Sequence, residues 1–308
     1  MFKNNLIVLY HRPESKSWFE KTIKTLGKIY NFVSSQDIID YYNNDLGLSN
    51  SCHITFDDGH RSIYDYAYPV LKKYNLNASL FVSPSVLENN QNYWFQDIEK
   101  YDKNDVLKSI CNVKKINLDV IKKIELNQTE LAKSLSYEEI LLVLNELSKS
   151  CGKVKNSRLN VNKKELIELS NSGNFTIGSH TYNHPILSNE KYDYADYQIT
   201  ESLNYLKKLL NKEVNTFAFP NGIPNLDYGK REINICKINN IKAAYSCEIS
   251  YFNKINSKLA IPRLEISSGG SIKTAIKAIF LNSLRRKLSN EKVYNNRLKI
   301  KNLLNNIS

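Results

Sequence analysis

His53-Ile54-Thr55-Phe56-Asp57-Asp58-Gly59 is a β-branched and aromatic run that ends in two acids and a glycine. A second such run, residues 175–180, leads into Ser179-His180-Thr181-Tyr182-Asn183-His184. Both read as strands that stop at polar side chains. Two histidines at i and i+4 on a turn can direct both rings to one point. One carboxylate then completes a three-ligand site with an open position, and neutral imidazole suits a borderline cation such as zinc. A cation there brings the pKa of water from near 16 to about 7, and a second carboxylate beside it can take the proton. Asp-Asp-Gly alone is an ordinary turn, and a lone histidine pair is more often surface or core. Each ending a strand, the two segments together point to hydrolytic chemistry. The histidines are His11, His53, His60, His180 and His184, and two of them fall in this pattern.

Working outward, strand-like runs at 6–11, 53–58, 78–83, 175–180, 216–220, 243–246 and 260–266 are mostly separated by helical patterns. Helices are expected at 15–30, 35–42, 62–74, 161–171, 193–210 and 227–239. That alternation argues for parallel βα units in an α/β fold. Polar residues gather where the strands end: His11, Asp57 and Asp58, His180, Pro220 and Asn221. In a β/α barrel this rim is where active sites are built. Residues 96–160 interrupt the alternation and read as a helical insertion on that side, a lid, a substrate wall or a packed elaboration. Its clearest helix is 136–147, with Tyr137, Ile140, Leu141, Leu144 and Leu147 as the apolar stripe.

The pair Thr55-Phe56-Asp57-Asp58-Gly59 and Ser179-His180-Thr181-Tyr182-Asn183-His184 resembles the polysaccharide deacetylases, the NodB-homology or carbohydrate esterase family 4 proteins. The resemblance covers most of residues 5–270. It implies a distorted (β/α)7 barrel with a helical insertion, over residues 1–270. It also implies hydrolysis of an N-acetyl group, sometimes O-acetyl, on an amino sugar, a polysaccharide or a glycan precursor. Carried over, Asp57 is the general base, and Asp58, His180 and His184 hold a divalent metal, zinc being the first choice. The family's Arg-x-Pro-Tyr-Gly motif stands here as Phe217-Ala218-Phe219-Pro220-Asn221-Gly222, without the arginine and with asparagine for tyrosine. The N–H after the proline, on Asn221, can still act as the oxyanion donor. The late Leu-x-His motif is missing, and Ile261-Pro262-Arg263-Leu264-Glu265 stands near its place.

Leu9-Tyr10-His11-Arg12 resembles the opening of the circularly permuted poly-N-acetylglucosamine deacetylase branch, whose acid histidine lies on the first strand. His11 is then the acid for the leaving amine, against a structural strand-end histidine. Arg263 can orient Asp57 in place of the absent arginine, against a surface pair with Glu265. The aromatics in Asn92-Tyr93-Trp94-Phe95-Gln96-Asp97 either stack on a sugar or pack a core. His53 is read as structural, and His60 as peripheral. Other readings keep the metal but change the substrate to another amide or an acetyl ester, or make the chain a catalytically silent carbohydrate-binding protein.

Among 308 residues, 42% are hydrophobic and 24% charged, an ordinary globular balance that excludes wholesale disorder. Apolar runs are far shorter than the roughly 20 residues that span a bilayer. The opening MFKNNLIVLYH lacks the core and cleavage site of a signal peptide, and the five cysteines show no paired spacing. The cytoplasm, or the inner face of its membrane, is the expectation. The formal net charge is +12. Residues 273–308 carry nine Lys or Arg against Glu291 alone. This helical segment, 271–308, with its apolar positions Ile272, Ile276, Ile279, Phe280 and Leu284, is either a core-docked barrel helix followed by a solvated one or in peripheral contact with an anionic membrane surface. No nucleic-acid motif accompanies the charge, so nucleic acid is not expected as a partner.

Overall fold

A computed structural model describes residues 4–44, 46–89, 91–118, 126–152, 157–268, 291 and 294–303. The frame is an eight-stranded parallel sheet: β1 (Leu6–Tyr10), β2 (Asn31–Val33), β3 (Ser51–Phe56), β4 (Ala78–Val82), β5 (Phe175–Ser179), β6 (Thr216–Ala218), β7 (Ala243–Tyr245) and β8 (Leu264–Glu265). Its order is β7-β6-β5-β4-β3-β1-β8. The chain between β7 and β8 brings the two ends of that order together, since Tyr245 and Ile261 form a parallel bridge. The sheet therefore curls as the α/β barrel expected from the sequence, with side chains filling its inside.

Every residue of β1, β3 and β4 is buried. That is the signature of parallel strands covered on both faces, and it explains why their sequences are continuous apolar runs. The helices α1 (Lys16–Leu26), α2 (Ser35–Asn43), α3 (Tyr68–Tyr74), α9 (Lys163–Asn171), α10 (Tyr192–Leu210) and α11 (Lys230–Ile238) alternate with the strands. Their starts are written locally. Ser15 caps α1 through Trp18 N–H at 3.2 Å, and Ser34 with Asp37 closes a reciprocal cap on α2. Asn162 and Glu165 do the same for α9.

Two strands depart from the sequence reading. β2 lies between two expected helices, and its three residues, one exposed and two half-buried, are too few to show an alternation. It pairs with the first half of β3, along the edge that β4 takes over from Ile54 onward. β8 is two residues long, inside a longer expected run.

Between β4 and β5 the described residues hold α4 (Pro84–Asn89), α5 (Trp94–Ile98), α6 (Lys103–Lys114), α7 (Gln128–Ala132) and α8 (Tyr137–Ser150). α5 to α8 surround an apolar cluster of their own, with Ile98, Val106, Leu131, Ile140, Val143 and Leu147 inside it. The insertion thus folds on its own core and returns to the barrel where Val161 N–H donates to Gly59 O at 2.8 Å. No helix of the described residues is long and apolar enough to cross a membrane. Ile272, Ile276, Ile279, Phe280 and Leu284 lie outside the described residues. Residues 294–303 are helical, and they dock on the protein: Ile300 is buried in the insertion's apolar cluster and Arg297 is buried as well.

Candidate active site

β3 and β5 deliver Asp57, Asp58, His180 and His184 to one point. Asp58 follows β3 with φ +67°, and Thr181 and His184 follow β5 with φ +63° and +59°. A non-glycine residue held left-handed costs energy, and such strain gathers at functional sites. Here it folds the ends of both strands inward. His180 Nε2 stands 3.6 Å from Asp58 Oδ1, and His184 Nε2 stands 3.4 Å from the same oxygen. One donor atom from each of the three residues lies within 4.8 Å of the others.

His180 Nδ1 donates to Ala218 O at 2.7 Å. That bond fixes the tautomer in which Nε2 presents its lone pair inward, as a metal ligand must. Asp58 Oδ1 is buried with no hydrogen-bond partner among the described residues. Burial pushes the Asp58 carboxyl up, and burial beside His180 pushes the His184 imidazole well down. Two imidazoles facing an unsatisfied carboxylate oxygen make the donor set of a divalent cation, and the three residues fit one.

Asp57 is fully enclosed. Burial alone would raise its pKa, but Arg263 outweighs that, with His180 and His11, and holds the carboxyl at about 2. Arg263 Nη1 donates to Oδ1 at 2.8 Å and Nη2 to Oδ2 at 2.7 Å, a two-pronged grip. Its Nε donates to Ser246 O at 3.0 Å. Arg263 is 1% exposed, so the surface pairing with Glu265 does not occur. Glu265 instead reaches His11, with Oε1 at 3.3 Å from Nδ1. Burial would lower the His11 pKa, but the Glu265 carboxylate, Asp58 and Asp57 raise it to about 9.

Asn221 ends β6 in a left-handed turn, with φ +59°, followed by Gly222 at +66°. A Cβ on Gly222 would sit 2.9 Å from Cys247 N, so the turn needs glycine. His11, Asp57, Asp58, His184, Asn221 and Arg263 all line one cavity of about 500 Å³. His180 stands behind them. The two remaining histidines are elsewhere. His53 is held by Val33 O at 2.9 Å and Ser79 Oγ at 2.8 Å, and His60 by Ser62.

The Tyr93-Trp94-Phe95 aromatics settle mostly as packing. Tyr93 OH donates to Asp58 O at 2.9 Å, and Trp94 Nε1 donates to His184 O at 2.8 Å. Their rings, with Phe95, surround the His184 imidazole. Phe95 also lines the cavity, as do Glu99, Glu130, Lys133 and Arg297. Sequence reading missed these four. Each is a single charged residue on or just after a short helix, or in a charged tail, with no local pattern to mark it, and only the fold brings them together.

Residues 48–235 match the family model for polysaccharide deacetylase. A poly-beta-1,6-N-acetyl-D-glucosamine N-deacetylase of Staphylococcus aureus is 25% identical over 275 residues, covering 86% of this chain and 74% of that protein. Among solved structures, the Streptococcus pyogenes deacetylase PplD in complex with acetate superposes with a TM-score of 0.60 at 18% identity, covering 90% of this chain and 98% of that one. IcaB from Ammonifex degensii gives 0.59 at 17%, covering 91% and 98%. The fold, the cavity and the family match agree: the chain belongs to the polysaccharide deacetylase family.

Proposed function

We propose that this enzyme removes N-acetyl groups from a β-linked poly-N-acetylglucosamine or a similar N-acetylated glycan, with zinc held by Asp58, His180 and His184. The observation that carries the reading is the division of labour between adjacent aspartates. Asp57 is tied up by Arg263, while Asp58 faces two imidazoles with an unsatisfied oxygen.

When bound, such a cation acidifies water and polarises the acetyl carbonyl. The chain's own residues do the rest. Asp57, ionised and fixed by Arg263, takes a proton from the attacking water as its oxygen bonds to the acetyl carbon. Asn221 lines the cavity, and its N–H is the proposed preorganised donor to the carbonyl oxygen as that oxygen gains charge. His11, protonated through its pairing with Glu265, gives its proton to the amine nitrogen as the C–N bond breaks. Acetate and a free amino sugar leave.

The glycan identity is proposed from the Staphylococcus relative's activity and from the strand-end His11. A panel decides it: acetate release from β-1,6-linked, β-1,4-linked and monomeric N-acetylglucosamine by the zinc-loaded protein. Preference for the β-1,6 oligomer is the expected result. Equal release from the monomer would set the polymer reading aside.

A further inference from the structure

Arg297, from the basic C-terminal segment, sits in the wall of the active-site cavity. It is 2% exposed. Its Nη2 donates to Asp227 Oδ1 at 2.6 Å, and its Nε lies 3.7 Å from Glu130 Oε2 on α7. Asp227 is itself fully buried, and its second oxygen, Oδ2, accepts from Ile223 N–H at 3.0 Å. Asp227 N–H donates back to Ile223 O at 2.9 Å. Ile223 directly follows the Pro220-Asn221-Gly222 turn, whose residues 221 and 222 are both left-handed. A continuous relay thus runs from Arg297 through Asp227 to Ile223, the residue after the Asn221-Gly222 turn.

The same helix is held on other sides. Ile300 enters the insertion's apolar cluster, and Lys301 Nζ donates to Ser188 O at 3.2 Å in the chain after β5. Ser188 N–H in turn donates to Asp227 O at 2.9 Å. One helix therefore touches the insertion, the β5 exit and the β6 exit together. A buried arginine forked between two elements is costly unless it is paired, so its partners are held to a narrow geometry.

We infer that Arg297 is a positioning residue of the deacetylase: it fixes Asp227, and through it the turn that aims Asn221 N–H into the cavity. This rests on the reading of Asn221 as the donor to the reacting carbonyl. It also gives the basic C-terminal segment a role inside the molecule. Displacing a positioned group by about 1 Å can cost on the order of 100-fold in rate.

The test uses the full chain, zinc-loaded, with Arg297→Met, Arg297→Lys, Asp227→Asn and the Arg297→Met/Asp227→Asn double variant. Acetate release should show kcat lowered about 10- to 100-fold in Arg297→Met, with KM little changed. Zinc content should stay at the wild-type level. Arg297→Lys should recover part of the rate, and the double variant should lose no more than the worse single variant, because both break one relay. Hydrogen exchange of the peptide 220–228 should rise about tenfold in Arg297→Met while β3 and β5 stay protected. The exchange measurement reads the relay even if the chain proves inactive on every acetylated glycan, a result that would fall on the activity reading alone. Unchanged exchange at 220–228, additive losses in the double variant, or a rise in KM with kcat intact would each overturn the proposal.

Discussion

Arg263 grips Asp57 with both terminal nitrogens, and a carboxylate held that way stays ionised well below the usual carboxylate range. The expected consequence is specific to the fork. Arg263→Lys keeps a charge but offers one prong, so kcat should fall about 10- to 100-fold while zinc content is unchanged. Arg263→Ala leaves a buried carboxylate unpaired and should cost about 3–5 kcal/mol of stability, read by denaturant unfolding. His11 gives a pH prediction. Its pKa is raised to about 9, so the imidazolium of this proposed acid is present below that value and lost as pH climbs through it. The alkaline limb of kcat/KM should therefore belong to His11. Glu265→Gln removes a partner that raises the pKa and should move that limb to lower pH, by about one pH unit. A limb that stays in place in Glu265→Gln would show that another group controls it. At this scale much was legible. Asp57, Asp58, His180 and His184 carry their own spacing signal, and His11 and Arg263 stood at strand ends. Sequence order alone makes Glu265, two residues on, a natural partner for Arg263; the fold instead buries Arg263 on Asp57 and leaves Glu265 exposed beside His11.

At the scale of elements, the candidate metal ligands sit on two strand ends braced by one short helix. α5 and the residue before it put Tyr93 OH on Asp58 O and Trp94 Nε1 on His184 O, so the insertion holds the backbone of two candidate ligands. Tyr93→Phe removes one hydroxyl from a buried site and should weaken zinc affinity about tenfold, measured by competition with a chelator. Wild-type affinity in Tyr93→Phe would reduce the aromatics to packing alone. The long apolar strands and capped helices were readable because burial on both faces and side-chain caps leave a mark in the local sequence. β2 left none, since its one exposed and two half-buried residues draw their strand character from the pairing with β3. The aromatics were ambiguous for a related reason: a ring that packs on an imidazole and one that stacks on a sugar have the same composition.

For the whole molecule, barrel, insertion and C-terminal helix meet around one cavity, which the barrel furnishes with reactive groups and the other two wall with charge. The apolar cluster of the insertion also takes in Ile186 from the chain after β5 and Ile300 from the C-terminal helix. Ile140→Ala in that cluster should cost about 2–5 kcal/mol, and because the insertion walls the cavity, the rate should fall with the unfolding of that lobe. The insertion was legible as an interruption of the βα alternation. Its place over the rim, and the inward turn of Arg297, were not, because long-range packing sets both.

The proposed reaction gives the adjacent aspartates Asp57 and Asp58 different tasks. The most direct measurement is zinc stoichiometry and acetate release from an N-acetylated β-1,6-glucosamine oligomer for wild type, Asp57→Asn and Asp58→Asn side by side. Asp57→Asn should keep its zinc and lose about two to four orders of magnitude in kcat, whereas Asp58→Asn should lose both metal and turnover. Zinc lost from Asp57→Asn and kept by Asp58→Asn would contradict the assignment.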